Sequence, residues 1–540
     1  MRSTMMTTPL TLDRLLERLG GLFKDVPIVS RLPDRTLRRT DNALLYRNSR
    51  RLAQALLRAG LKPGERVATL MWNHAAHLEA YFGVPVAGGV LHTLNLRLFP
   101  QDIAYIAQHA GDRFLIVDDV LLPLFEKFRD QVKFERVFVN RFGGGVAHAY
   151  EDYAQFLDSA DGDFEYPLLD ENAPCGMCYT SGTTGRPKGV VYSHRSNILH
   201  ALAAALPDAA ALSVRDVLLP VVPMFHANAW GLPYMSAMVG CVQVFPGPHL
   251  DFESVLDLIN QAGVTIAGAV PTIWMGVLQA LRKDPSRRPV KPLRLMVGGS
   301  APPPALIQGL REFGIDLIPV WGLTETSPIA SYSQMRPQLD ALPEEERMKY
   351  RAKAGVPLPL VDLRIWNEHG AAPWDGQSVG EIEVRGPWVT ASYHDRPDAA
   401  DRFSADGWFR TGDVASMTPE GYITISDRAK DLIKSGGEWI SSVDLENEIM
   451  AHPAVLEAVV IAVAHDKWME RPLAVVVLRP GAALSFEQLR AHLKGKFADW
   501  WLPDGCEFVE QIPRTSTGKF QKLVLRERFA GWKPPTKGST

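Results

Sequence analysis

Cysteine is scarce: four in 540 residues cannot build a disulfide framework, and such sparse use fits a reducing cytoplasm better than secretion. The single C-x-x-C, Cys175 and Cys178, has no second pair to complete a metal or redox motif. Its setting, CGMCYTS, reads as a buried strand in which both thiols are small apolar filler. Runs of one charge sign are missing too. With 58 Lys and Arg against 61 Asp and Glu the net charge is -3, which speaks against a nucleic-acid footprint or a polybasic membrane patch. The N-terminal MRSTMMTTPLTLDRL lacks the apolar core of a secretory leader, so no export is expected. Residues 262–281 are uncharged for about the length of a membrane span. Gly263, Gly268, Pro271 and Gly276 nevertheless divide them into a short strand, VTIAGAV, and a helix, PTIWMGVLQAL, so they read as core and not as a transmembrane segment. No internal repeat is present, and the only low-complexity tract is the polar tail KPPTKGST.

What is present is an ordinary globular composition, 46% hydrophobic and 22% charged, in a chain too long for one core. From Tyr46 onward, helical patterns (YRNSRRLAQALLRAGL, HLEAYFGVPVAGG) alternate with strand patterns (RVATLMW, VLHTLN, FLIVDD). The same rhythm recurs with strands at 217–222, 243–245, 264–270, 294–297 and 316–320. Such alternation predicts an α/β domain of parallel sheets wound with helices. After about Leu363, short alternating strands with glycine turns (GEIEVRG, EGYITISD) predict a β-rich subdomain. A compact α+β unit follows, with a helix SVDLENEIMAH stopped by Pro453, the strands LEAVVIAVAHD and PLAVVVLRP, and a helix opened by Ser485 with Gln488 three residues on. The expected organisation is an N-terminal domain of residues 1–426, with the β-rich subdomain at about 361–426, and a C-terminal domain of residues 427–540.

The strongest chemical signal is YTSGTTGRPKG at 179–189, placed after an apolar strand and before a segment that turns helical. Gly182, Gly185 and Gly189 permit close backbone approach, the hydroxyls of Thr180, Ser181, Thr183 and Thr184 can donate to phosphate oxygens or ligate a metal, and Lys188 adds charge. The spacing from Gly182 to Lys188 is one too long for the P-loop pattern, and a plain surface loop would need no such density of hydroxyls and glycines.

The loop resembles the signature of the adenylate-forming superfamily of acyl-CoA synthetases, luciferases and peptide-synthetase adenylation domains. Four further matches follow in the family's order: WGLTETSP at 321–328, GWFRTGD at 407–413, SDRAKDLIKSGGEWIS at 426–441 and PRTSTGK at 513–519. The resemblance implies a carboxylate activated by ATP as its acyl-adenylate, then transferred to coenzyme A, with magnesium as cofactor. Carboxylate and triphosphate repel, so the reaction needs cations and donors that gather both. By resemblance, Thr180 and Glu325 contact the magnesium, a hard ion suited to hydroxyl and carboxylate oxygens. An isolated loop Glu is ordinarily just solvated, but Glu325 sits on the motif. Ser181, Gly182, Thr183, Thr184, Gly185 and Lys188 surround the phosphates, while Gly299, Trp321 and Thr324 map to adenine and phosphate contacts, and Asp413 to the ribose hydroxyls.

Lys519, near a C-terminus where a lysine is ordinarily a surface charge, is the family's catalytic lysine that bridges the acid and the α-phosphate. Asp427 is the implied hinge of a mobile C-terminal domain. Arg428, Lys430, Lys434 and Trp439 are implied contacts of ATP or adenylate in one orientation of that domain, and Gly436 and Gly437 line the thiol's path in the other. No general base is assignable for thioester formation; a thiol titrates near ~8.5 and the adenylate is a good leaving group, so positioning can suffice.

PMFHANAWGLPY at 223–234, RLFPQDIAYI at 97–106 and GGEWISSVDLE look most like the medium- and long-chain fatty acid branch, whose relatives include ligases of methylmercaptopropionate. This implies an acyl pocket and gate at His226, Trp230 and Gly298, against the simpler reading of Trp230 as core, and also implies a homodimer. A peptide-synthetase module would carry a pocket aspartate and lead into a carrier domain, whereas only residues 520–540 follow the lysine. A luciferase-like oxidation would share the motifs. A non-catalytic nucleotide-binding protein is expected to have lost some of Thr180, Glu325, Asp413, Arg428 and Lys519, and all five are present.

Overall fold

The computed structural model describes residues 3–145, 147–180, 186–428, 431–435, 438–465, 467–514 and 520–533, with backbone only at 427–428 and 438–439. Two large sheets carry the N-terminal part. A nine-stranded sheet runs in the order Val356–Pro357, Ile329–Tyr332, Ile315–Gly322, Leu293–Val297, Ile266–Ala269, Val217–Pro220, Val242–Phe245, Pro27–Arg31 and Leu37–Asp41. Its interior pairs are parallel and its edges antiparallel. A seven-stranded sheet runs Glu151–Asp152, Arg136–Asn140, Asp112–Asp118, Arg66–Leu70, Val90–Thr93, Pro174–Tyr179 and Gly189–Ser193, parallel except for its last pair.

One apolar core lies between these sheets. Phe114, Phe138 and Tyr192 of one sheet share a cluster with Phe245, Ile266, Met296 and Ile318 of the other. The helix Ala75–Val86 enters that cluster and is buried over residues 77–86, as its nearly all-apolar sequence requires. On the far face of the nine-stranded sheet lie the amphipathic helices Phe252–Ala262 and Pro271–Lys283. The uncharged stretch 262–281 is thereby resolved as expected, into the strand Ile266–Ala269 and the helix opening at Pro271. Among the described residues no helix is long and apolar enough to cross a membrane.

The antiparallel five-stranded sheet Gly370–Ala371, Asp362–Asn367, Gly380–Arg385, Phe409–Met417 and Ile423–Arg428 forms the β-rich part, and its Ile382, Val384 and Phe409 join the same core. Beyond it, a smaller sheet is built on Met469–Leu478, which pairs antiparallel with the edge strand Val455–His465, with Ser442–Met450 and Phe486–Leu493 on one side and Lys522–Arg528 on the other. The capping box is realised: the Ser485 hydroxyl accepts from the Gln488 N–H, and the Gln488 side chain accepts from the Ser485 N–H. Together these elements make a mixed α/β fold with a large N-terminal and a smaller C-terminal part.

Candidate active site

The segment 179–189 connects two antiparallel strands, Pro174–Tyr179 and Gly189–Ser193. The helix expected after it begins later, at His194, because Val190, Val191 and Tyr192 pair back onto the sheet. At the base of the connection the Thr180 N–H donates to the Lys188 carbonyl at 2.9 Å, and the Lys188 N–H donates to the Thr180 hydroxyl at 3.2 Å. Ser181, Gly182, Thr183, Thr184 and Gly185 lie outside the described residues. Cys175 and Cys178 are buried in the first strand as read; burial pushes the Cys175 thiol up to about 12, which suits an inert filler.

Two strand ends of the nine-stranded sheet carry further sequence-predicted site residues. Gly298 and Gly299 follow Leu293–Val297, and Gly299 adopts φ 88°. Trp321 lies on Ile315–Gly322, and Thr324 and Glu325 lie in the short 3-10 turn that follows. The Trp321 indole N–H donates to Asp413 Oδ2 at 2.9 Å, joining the sheet to the β-rich part. Asp413 is 5% exposed, and its backbone N–H donates to the Thr411 hydroxyl across the turn made by Gly412 at φ 76°. The Thr324 carbonyl accepts from the buried Tyr192 hydroxyl at 2.9 Å. Glu325 accepts from the Tyr393 hydroxyl at 2.6 Å, and its carbonyl accepts from the Thr390 N–H at 2.7 Å. Tyr393 carries no sequence signal of its own; its link to Glu325 appears only in three dimensions.

Trp230 sits in an unusual backbone. Ala227, Asn228, Ala229 and Trp230 have φ of 44°, 53°, 50° and 59°, and Gly231 follows at 73°, so five consecutive residues are left-handed. For non-glycine residues this costs about 1–2 kcal/mol each, strain that only a demanding surround or a functional need maintains. The indole is 5% exposed. It lies over two glycines: a Cβ on Gly298 would stand 3.1 Å from its Cη2, and one on Gly268 3.6 Å from its Cε3. In the sequence Gly268 only interrupts an apolar stretch, and VTIAGAV gives no sign that a ring lies over it. His226 precedes the turn, its N–H donating to the Pro223 carbonyl and its carbonyl accepting from Ala229. Under the turn lies His200, whose Nε2 accepts from the Ile329 N–H; burial pulls its pKa down to about 3, so it stays neutral.

A family model for AMP-binding enzymes matches residues 33–394, and one for their C-terminal domain matches residues 444–519. The chain belongs to the AMP-binding enzymes. Among its relatives in this family, a long-chain-fatty-acid–CoA ligase of Thermus thermophilus is 49% identical over 534 residues, covering 98% of this chain and 97% of the relative. A 3-methylmercaptopropionyl-CoA ligase of Ruegeria lacuscaerulensis is 44% identical over 537 residues, covering 98% and 99%. Among solved structures, the anthranilate CoA ligase AuaEII in complex with anthranoyl-AMP superposes with a TM-score of 0.84 at 26% identity, over 96% of this chain and 98% of that one.

The segment SDRAKDLIKSGGEWIS at 426–441 lies partly within the described residues. Asp427 pairs with Val414 and Arg428 with Asp413 at the end of the strand Ile423–Arg428. Lys434 pairs with Trp439 in the hairpin Ile433–Ser435 and Glu438–Ile440, and its N–H donates to Glu470. Lys430, Gly436, Gly437 and Lys519 lie outside the described residues.

Proposed function

We propose that this chain activates medium- and long-chain fatty acids. The broader reading stands on family and relatives: it is an AMP-forming acyl-CoA ligase. A carboxylate oxygen attacks the α-phosphorus of ATP and pyrophosphate leaves; the thiol sulfur of coenzyme A then attacks the acyl carbon, AMP leaves with that oxygen, and the thiol proton passes to solvent.

The observation that carries the chain-length reading is the Trp230 indole, laid over Gly268 and Gly298 with Val222, Leu232 and Val320 alongside. That surround is apolar and suits methylenes, which supports a gate at Trp230 and an acyl pocket that includes His226 and Gly298. The identity to the Thermus long-chain ligase supports the same choice. Similar identity to the methylmercaptopropionate ligase favours the second reading, a small thioether acid.

Trp321, Thr324 and Gly299 are assigned to the adenine and phosphates, and Asp413 to the ribose. Lys188 and the loop hydroxyls take the phosphates, Asp427 is the hinge, and Arg428, Lys430, Lys434 and Trp439 contact nucleotide. Gly436 and Gly437 line the thiol path, and Lys519 bridges acid and α-phosphate. Magnesium fits the donor set here: the hydroxyl of Thr180 and the carboxylate of Glu325 are hard oxygens, and such an ion takes its remaining ligands from phosphates and water. When bound it would neutralise charge on the triphosphate. Four free thiols agree with a reducing cytoplasm as its location.

The test is thioester formation with butanoate, octanoate, dodecanoate, hexadecanoate, benzoate and methylmercaptopropionate. The fatty acid reading expects kcat/KM to rise steeply from butanoate, since each buried methylene is worth about 0.8 kcal/mol. A maximum at methylmercaptopropionate would replace it with the second reading.

A further inference from the structure

We propose that Tyr393 is a positioning residue that ties the phosphate loop to the carboxylate of Glu325. The proposal rests on the reading of Glu325 as a metal ligand and Lys188 as a phosphate contact. One side chain reaches both: the Tyr393 hydroxyl donates to Glu325 Oε1 at 2.6 Å, and the Lys188 ammonium stands 4.9 Å from the centroid of its ring. The backbone around it makes the same two connections. The Thr390 N–H donates to the Glu325 carbonyl at 2.7 Å, and the His394 N–H donates to the carbonyl of Gly189, where the loop ends, at 2.9 Å. The short segment 390–394 therefore holds Glu325 by main chain and side chain together with the outgoing end of the loop. The incoming end is fixed separately, by the 2.7 Å contact between the Tyr179 hydroxyl and His109 Nδ1.

The chemistry of each contact suits the task. A hydrogen bond to one carboxylate oxygen sets the plane of the carboxyl, and so the direction in which the other oxygen can ligate. An aromatic face attracts an ammonium without forming an ion pair, so the Tyr393 ring can hold Lys188 in place for phosphate. The ring is itself anchored apart from these polar contacts: Phe403 and Phe409 stand at 6.2 Å and 6.4 Å, and Tyr393 is buried. Removing only the hydroxyl therefore leaves its packing in place.

The experiment measures metal binding directly. Mn2+ is titrated into wild type, Tyr393→Phe, Glu325→Gln and the double variant, each with ATP, and free Mn2+ is read by electron paramagnetic resonance while melting temperature is recorded. Tyr393→Phe is expected to weaken Mn2+ binding about ten- to hundredfold, the scale of one hydrogen bond to a charged group, with little change in melting. In the Glu325→Gln background, the Tyr393→Phe substitution should add nothing further. Tyr393→Leu, which also removes the ring face, should weaken ATP binding beyond the Tyr393→Phe variant. Unchanged Mn2+ binding in Tyr393→Phe, or losses that simply add in the double variant, would overturn the role of Tyr393. A wild-type Mn2+ affinity untouched by Glu325→Gln would instead remove the metal reading of Glu325, and with it the basis of the proposal. Acyl-CoA formation by the wild type tests the ligase reading apart from both.

Discussion

Trp321 and Asp413, 92 residues apart in sequence, meet side chain to side chain: the indole N–H donates to the carboxylate at 2.9 Å in a buried setting. The bond sets the orientation of both groups assigned to the nucleoside. Asp413→Ala should raise KM for ATP about ten- to hundredfold, since a hydrogen bond to a charged group is worth about 1.5–3 kcal/mol. Pyrophosphate exchange measures it. An unchanged KM would remove Asp413 from the ribose.

Lys519→Ala should abolish acyl-adenylate formation yet spare much of the thioester step when acyl-adenylate is supplied, because its charge is needed as the carboxylate attacks ATP. Equal loss in both half-reactions would contradict that role. Asp427→Pro should restrict φ at the end of Ile423–Arg428 and impair the two half-reactions unequally. Wild-type rates in both would dismiss the hinge.

Trp230→Ala should keep adenylation of some acids while shifting the kcat/KM ratio between dodecanoate and butanoate at least tenfold, each methylene contact being worth about 1–3 kcal/mol. A purely structural tryptophan would instead cost about 3–5 kcal/mol of stability. A variant that melts early with an unchanged chain-length profile would return Trp230 to the core.

Glu79 is buried in the helix Ala75–Val86, where Asn48 Nδ2 and the Tyr153 hydroxyl donate to it at 2.7 and 3.1 Å. Burial pushes its pKa up from 4.5 to about 7. The native state thus holds a proton that the unfolded chain has released, so its contribution to stability is complete below pH 4.5 and lost as pH rises through about 7. The loss is on the order of 3 kcal/mol. Glu79→Gln should raise the melting temperature at pH ~8 and leave it unchanged at pH ~4, below both values. His77 and His200, pulled down to about 3 by burial, act oppositely: their contribution is present above 6.5 and lost as pH falls toward 3. A Glu79→Gln variant no more stable than wild type at alkaline pH would contradict the assignment.

Much of the scaffold was legible because its period is local. The strand Leu293–Val297 follows from alternation and the helix Asn42–Arg58 from the helical pattern beginning at Tyr46, while its start four residues earlier, capped by Asp41, is set by the structure. The hairpin Pro27–Arg31 with Leu37–Asp41 was missed, since LRRTD is a charged edge strand whose pairing the rest of the sheet supplies. The strand Gly189–Ser193 was hidden for a similar reason: VVYS is short and runs directly into a helix. The left-handed run at 227–230 could not be read, because ANAW contains no glycine to announce positive φ before Gly231. Tyr393 was invisible for want of locality, its partner Glu325 lying 68 residues away.

The most direct test follows the oxygen. Wild-type enzyme is given ATP, coenzyme A and a fatty acid labelled with oxygen-18 in both carboxylate positions. Attack by the carboxylate on the α-phosphorus, followed by thiolysis, must leave one labelled oxygen in AMP and one in the thioester carbonyl. Mass spectrometry should find AMP carrying a single label in step with acyl-CoA formed. Unlabelled AMP, or label in inorganic phosphate, would contradict the acyl-adenylate route.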